Sequence, residues 1–186
     1  MALKINSPSV PPRGAYPEAS GRPDEALINI MLVDDDDDCR LLIRDAIAQC
    51  KVSNSVSEAS NGEQALAMLR REGEFAHTPR PGLIYLDIEM PGIDGLETLR
   101  RIKADPSLRD IPVVMMTGVC EERQMQKAAE LGANSYTLKP ANAEQFLRTV
   151  LASTSYWLTI HQRPGRHMPG DHVWRTVPGG PRIASA

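Results

Sequence analysis

Five short apolar runs punctuate the middle of the chain: "LINIMLV" (27–33), "VSNSV" (52–56), "LIYL" (83–86), "IPVVMM" (111–116) and "SYTL" (135–138). Several are apolar on consecutive positions, the pattern of strands covered on both faces. Between and after them stand amphipathic stretches with helical spacing: "CRLLIRDAIAQC", "EQALAMLRRE", "GLETLRRIKAD", "EERQMQKAAELG" and "AEQFLRTVLASTSYWL". Five strands alternating with five helices predict an α/β domain with a parallel sheet and right-handed crossovers. Gly132 stands where a residue just past a helix end belongs, and Asn61-Gly62 marks a turn before the second helix.

The flanks read differently. Residues 1–25 are rich in Pro, Ser and Gly and hold too little apolar surface to offset their ordering entropy, so they read as a disordered tail. Residues 161–186 read the same way, with Trp174 as an incidental exposed ring, which leaves one domain over 26–160. The net charge of −3 hides an asymmetry: residues 27–160 hold 20 acidic and 14 basic side chains, whereas 161–186 hold four arginines and one aspartate. An acidic core argues against duplex binding, which needs Lys and Arg gathered on one face. No apolar run has the length of a membrane span, and "MALKINSPSVPPRG" lacks the apolar core of a signal peptide. Cys39, Cys50 and Cys120 are odd in number and scattered, which predicts buried thiols in a cytoplasmic protein.

In open α/β sheets, ligands bind beyond the carboxyl ends of the strands. The residues just past the apolar runs are Asp34 and Asp35, then Asp87, then Thr117, then Lys139-Pro140; the second run offers only Ser57 and Glu58. Three clustered carboxylates raise one another's pKa unless a cation intervenes, and Mg²⁺ suits carboxylates together with water and phosphate oxygens. No His or Cys is placed for zinc. With Mg²⁺ bound, one carboxylate can attack a phosphoryl group while Lys139 and Thr117 stabilise charge on its oxygens.

The pieces "LVDD", "LIYLDIEMPGIDGLETLRRIK", "IPVVMMTG" and "SYTLKP" carry a specific resemblance. Over roughly residues 27–158 the chain resembles the receiver domains of two-component response regulators. The resemblance implies a flavodoxin-like sheet of order 2-1-3-4-5, with Asp87 accepting a phosphoryl group from a sensor histidine kinase. It implies Mg²⁺ on Asp34, Asp35, Asp87 and the backbone carbonyl of Glu89, and Lys139 paired with the phosphate, its peptide to Pro140 being cis. It further implies Thr117 and Tyr136 as coupled switch residues, and an output or homodimer face made by helix 4, strand 5 and helix 5. Glu89 and Val119 occupy positions that tune dephosphorylation in such domains.

Two narrower features, the ending "STSYWLTIHQRP" and the long loop "EGEFAHTPRPGLI", are similar to single-domain regulators that partner bacterial phytochromes. They imply a bacteriophytochrome-type kinase and point to Tyr156 and Trp157 as dimer or output residues, or as packing for their own domain.

Blander accounts stand beside these. Thr117 alone could cap a helix, Tyr136 alone could fill a strand, and Lys139 alone would be a solvated lysine. Met90-Pro91 and Asp94-Gly95 are turn and helix-start chemistry. A Mg²⁺-dependent phosphohydrolase is the alternative enzyme, but it wants a second aspartate two residues beyond its nucleophile as general acid, where Glu89 stands instead, and a substrate cap, for which no insertion is large enough. A transcription regulator acting through the basic tail needs a larger output domain. Within "VDDDDDC", Asp34 and Asp35 read as cation ligands, Asp37 or Asp38 as the helix cap, and Asp36 as a solvent-facing linker.

Overall fold

The alternation is realised as five strands and five helices in a computed structural model that describes residues 28–50, 54–118 and 121–160. The strands are β1 (Ile28–Val33), β2 (Asn54–Ala59), β3 (Leu83–Asp87), β4 (Val113–Thr117) and β5 (Ser135–Leu138). They form one parallel sheet in the order β2-β1-β3-β4-β5. The helices are α1 (Asp37–Ala48), α2 (Gly62–Arg70), α3 (Gly95–Ala104), α4 (Glu122–Glu130) and α5 (Ala143–Ser155). A 3₁₀ turn at Gly73–Phe75 follows α2, and a π-helical turn at Tyr156–Ile160 extends α5. The tails expected over 1–25 and 161–186, Trp174 included, lie outside the described residues, as do Val52, Val119 and Cys120. No helix among the described residues is long and apolar enough to cross a membrane.

The three central strands are apolar on consecutive positions because each face of the sheet has its own core. Met31, Val33, Ile84, Leu86, Val113 and Met115 join Leu66, Leu99 and Ile102 on one side. Ile30, Leu32, Leu83, Tyr85, Val114 and Met116 join Ile43, Ile47, Phe146 and Val150 on the other. Side chains alternate along each strand, so a strand covered twice needs no polar positions.

Three boundaries differ from the sequence expectation. β2 runs to Ala59, through Ser57 and Glu58, because it is a half-buried edge strand with polar residues toward its neighbour. The buried Asn29 amide donates to the Ser55 and Ser57 hydroxyls at 3.1 and 3.0 Å, which keeps those serines in the ladder. β4 begins at Val113, since Pro112 has no N–H to give the ladder. α5 ends at Ser155 and hands Tyr156 and Trp157 to the π-helical turn. As expected, Gly132 follows α4 in the left-handed region at φ +90°, whereas Asn61-Gly62, read as a turn before the second helix, is its start: Asn61 caps α2 by accepting from the Gln64 N–H, and Gly62 is the first helical residue.

Candidate functional site

The register of the sheet brings the strand ends level. Val33 pairs with Leu86, so Asp34 and Asp87 emerge side by side. Asp87 pairs with Met116, and Thr117 with Leu138, which sets Thr117 and Lys139 on the same edge. The Lys139 N–H donates to the Thr117 carbonyl at 2.7 Å and closes that edge.

Lys139 reaches across the edge. Its Nζ lies 2.6 Å from Asp34 Oδ2 and 2.9 Å from Asp87 Oδ1. Asp34, Asp87 and Thr117 are buried, whereas Asp35 is exposed. Oxygen atoms of Asp34, Asp35 and Asp87 all lie within 4.8 Å of one another. Burial pushes the Asp87 carboxyl up to about 6, against the opposing hydrogen bond and charge of Lys139. Burial alone would lower the Lys139 ammonium, but hydrogen bonds and charge from Asp34, then Asp87, outweigh it and hold it above its usual range. Burial, then a hydrogen bond to Asp34, pushes the neighbouring Cys39 thiol up to about 12, and the cluster of ligand atoms comprises the three carboxylates. The available donors are therefore hard oxygens, two of them on buried carboxylates, and they fit a hard divalent cation such as Mg²⁺.

The loop after β3 is shaped by Asp94 and Gly95. Asp94 caps α3 by accepting from the Glu97 N–H at 2.7 Å. A Cβ on Gly95 would stand 1.9 Å from the Asp87 carbonyl oxygen, so only glycine lets α3 start against the β3 end. Glu89, two residues past Asp87, has an exposed side chain. Tyr136 is half-buried, with its ring against the core that contains Met115 and its hydroxyl oxygen buried.

Two expectations are corrected here. Asp36 is the cap of α1: its carboxylate accepts from the N–H groups of Asp38 at 2.9 Å and Cys39 at 3.4 Å. Asp34 Oδ1 accepts from the Asp36 N–H at 3.0 Å, which starts the helix one residue earlier than Asp37 or Asp38 would. Asp37 instead pairs with Arg40. The Lys139–Pro140 peptide is trans, the isomer an X–Pro bond favours by about 0.5–1 kcal/mol.

Tyr156 and Trp157 stand at the far end of α5, about 20 Å along the helix from its start. Their rings meet edge to face at 5.3 Å; Trp157 packs on the core containing Ile43 and Phe146, and Tyr156 is exposed. Arg40, absent from the strand-end set, reaches the site through the Asp34 carbonyl and pairs with Glu58, the residue read at the end of the second run. The signal that could have found Arg40 is that lone carboxylate at the end of β2.

A doubly wound parallel sheet carrying three carboxylates, a hydroxyl and an ammonium on its carboxyl edge defines a flavodoxin-like α/β module. The chain belongs to the response regulator receiver domain family, whose profile matches residues 30–151. It is 33% identical over 129 residues to the response regulator Rcp1 of Synechocystis sp. (strain PCC 6803), covering 69% of this chain and 88% of that one. The fold is similar to that of the phosphorylated cyanobacterial phytochrome response regulator RcpA, at 37% identity and a TM-score of 0.72, covering 75% of this chain and 99% of that one. It is also similar to the Mn²⁺-bound form of Rcp1, at 32% identity and a TM-score of 0.70, covering 74% of this chain and 99% of that one.

Proposed function

We propose that this receiver domain takes a phosphoryl group onto Asp87 from a phosphohistidine of a sensor kinase and thereby changes its affinity for a partner or a second copy. An Asp87 carboxylate oxygen attacks phosphorus, the phosphorus–nitrogen bond breaks, and the imidazole leaves with the electron pair. Asp34, Asp35 and Asp87, with the Glu89 carbonyl, would hold Mg²⁺, which supplies charge neutralisation for the transferred group. Lys139 and the buried Thr117 flank the acceptor and are suited to bind the phosphoryl oxygens. The observation that carries the reading is the Lys139 ammonium bridging two buried carboxylates at the strand ends.

The switch follows the same edge. Thr117 ends β4 and Tyr136 lies on β5, so a group drawn toward the phosphoryl oxygens acts on the outer strand of the sheet. Met125 on α4 and Leu138 on β5 are 38% and 42% exposed, in keeping with α4, β5 and α5 as an output face. Similarity to RcpA supports a phytochrome-type kinase as the donor.

Incubation with Mg²⁺ and acetyl phosphate tests the acceptor: one phosphoryl group per chain is expected, and none on Asp87→Asn. Equal labelling of that variant overturns the assignment. Phosphotransfer profiling against sensor kinases, phytochrome-linked ones included, tests the donor.

A further inference from the structure

β2 sends no side chain into the carboxylate cluster, yet its end anchors the cation that grips the backbone there. Arg40, in the first turn of α1, has an 11% exposed side chain. Its guanidinium serves three elements at once. Nη1 donates to the Asp34 carbonyl oxygen, Nε to the Glu58 carboxylate at 3.3 Å, and Nη2 to the Asp37 carboxylate. Arg44, one turn on, adds a second pair to Glu58 at 2.8 Å.

Asp34 is thereby fastened at every polar atom. Its N–H donates to the Ala59 carbonyl at 3.2 Å, Oδ1 accepts from the Asp36 N–H, Oδ2 accepts from Lys139, and its carbonyl accepts from Arg40. Asp35 is the opposite case: it is exposed, and its carboxylate has no hydrogen-bond partner among the described residues. Asp35 stands where the Asp34–Asp35 peptide puts it, and Arg40 holds the oxygen of that peptide.

We propose that Arg40, braced by Glu58, is a positioning residue for divalent-cation binding: it fixes the peptide that aims Asp35 at the site. The proposal rests on the assignment of Asp34, Asp35 and Asp87 as the Mg²⁺ ligands. Charge alone predicts the opposite sign, because a guanidinium beside a cation site repels the cation and its removal would tighten binding. A planar fork meets several acceptors in fixed directions; a lysine's point charge does not.

The test is calorimetric titration of the full chain with MgCl₂. Arg40→Gln is expected to bind Mg²⁺ about tenfold more weakly, the scale for loss of a ligand's supporting contact, and Arg40→Lys to fall between it and wild type. Glu58→Gln should weaken binding in the wild-type background and add nothing to Arg40→Gln, since Glu58 acts through Arg40. Equal or tighter binding by Arg40→Gln overturns the proposal, as does an undiminished Glu58→Gln effect in that background. Wild type that binds Mg²⁺, with binding lost in Asp35→Asn and intact in Arg40→Gln, sinks the positioning role alone. Wild type that binds no Mg²⁺, or Asp35→Asn binding as wild type does, overturns the site assignment and this inference together. Should Arg40→Gln lack the wild-type circular-dichroism spectrum, Arg40→Lys decides: weaker binding supports the role and unchanged binding removes it.

Discussion

Lys139 and Asp34 stand 105 residues apart in the chain, and their side chains meet at 2.6 Å. The contact ties the first strand end to the last. It also makes the ammonium the internal counter-ion of a pocket whose two inner carboxylates are both buried.

Replacing Lys139 by Ala leaves two buried carboxylates facing each other without a cation. Loss of one partner from a buried pair costs about 3–5 kcal/mol, and the 18% exposure of Lys139 places the effect at the low end. Urea unfolding with and without MgCl₂ reads it. The deficit should be largest without Mg²⁺ and shrink when Mg²⁺ is added; a variant as stable as wild type without Mg²⁺ contradicts the pairing.

Asp87→Asn should stabilise the Mg²⁺-free protein at neutral pH. The carboxyl is raised from 3.8 to about 6 in the folded state, chiefly by burial, so the folded chain binds the proton more tightly than the unfolded chain. The protonated carboxyl thus contributes stability that is complete below about pH 3.8 and lost as pH rises through about 6. At pH 7 the Asn variant should be more stable by about 1–3 kcal/mol, since each tenfold difference in proton affinity is worth roughly 1.4 kcal/mol. Unfolding curves at pH 4 and pH 7 check it, with the gap closing at the acid end.

Mg²⁺ should raise the melting temperature of the wild type and leave Asp35→Asn little changed. A ligand at one hundred times its dissociation constant adds about 2.7 kcal/mol, and the exposed Asp35 would lend the proposed site a ligand atom without holding the fold. Thermal denaturation before and after EDTA measures both proteins. A wild-type melting curve indifferent to Mg²⁺ is the adverse result.

Gly95→Ala should fail at the β3–α3 junction. The added carbon would press on the Asp87 carbonyl at 1.9 Å and the Ile88 Cα at 2.8 Å, both backbone atoms that cannot step aside. The loss should exceed about 3 kcal/mol, in the range of severe single-site lesions, and soluble yield with chemical denaturation reports it.

Much of this fold is legible in the apolar runs. β1, β3 and β4 are buried on both faces, and consecutive apolar residues have few other destinations. The strand-end set is legible for the same reason: where a buried run stops at a carboxylate, hydroxyl or lysine, the sheet edge is near. The α1 cap is not, because five identical aspartates offer no local contrast. Asp36 takes the role through its backbone link to Asp34, a contact that exists only after β1 has ended. Arg40 is hidden by its ordinary place on the polar face of an amphipathic helix, and its role depends on Glu58, 18 residues away. The apolar pattern sets β2 too early because the partner that keeps Ser55 and Ser57 in register is an asparagine on another strand.

The register that levels Asp34 with Asp87 and Thr117 with Lys139 is the same register that sorts Met115 to one core and Met116 to the other. A slip of one residue in β4 would withdraw Thr117 from the edge and exchange the two cores' side chains in the same act. Errors of spacing in the chemistry are therefore proof-read by folding: a chain that mis-sets its reactive edge also loses its interior, and never survives as a well-formed domain with a faulty site.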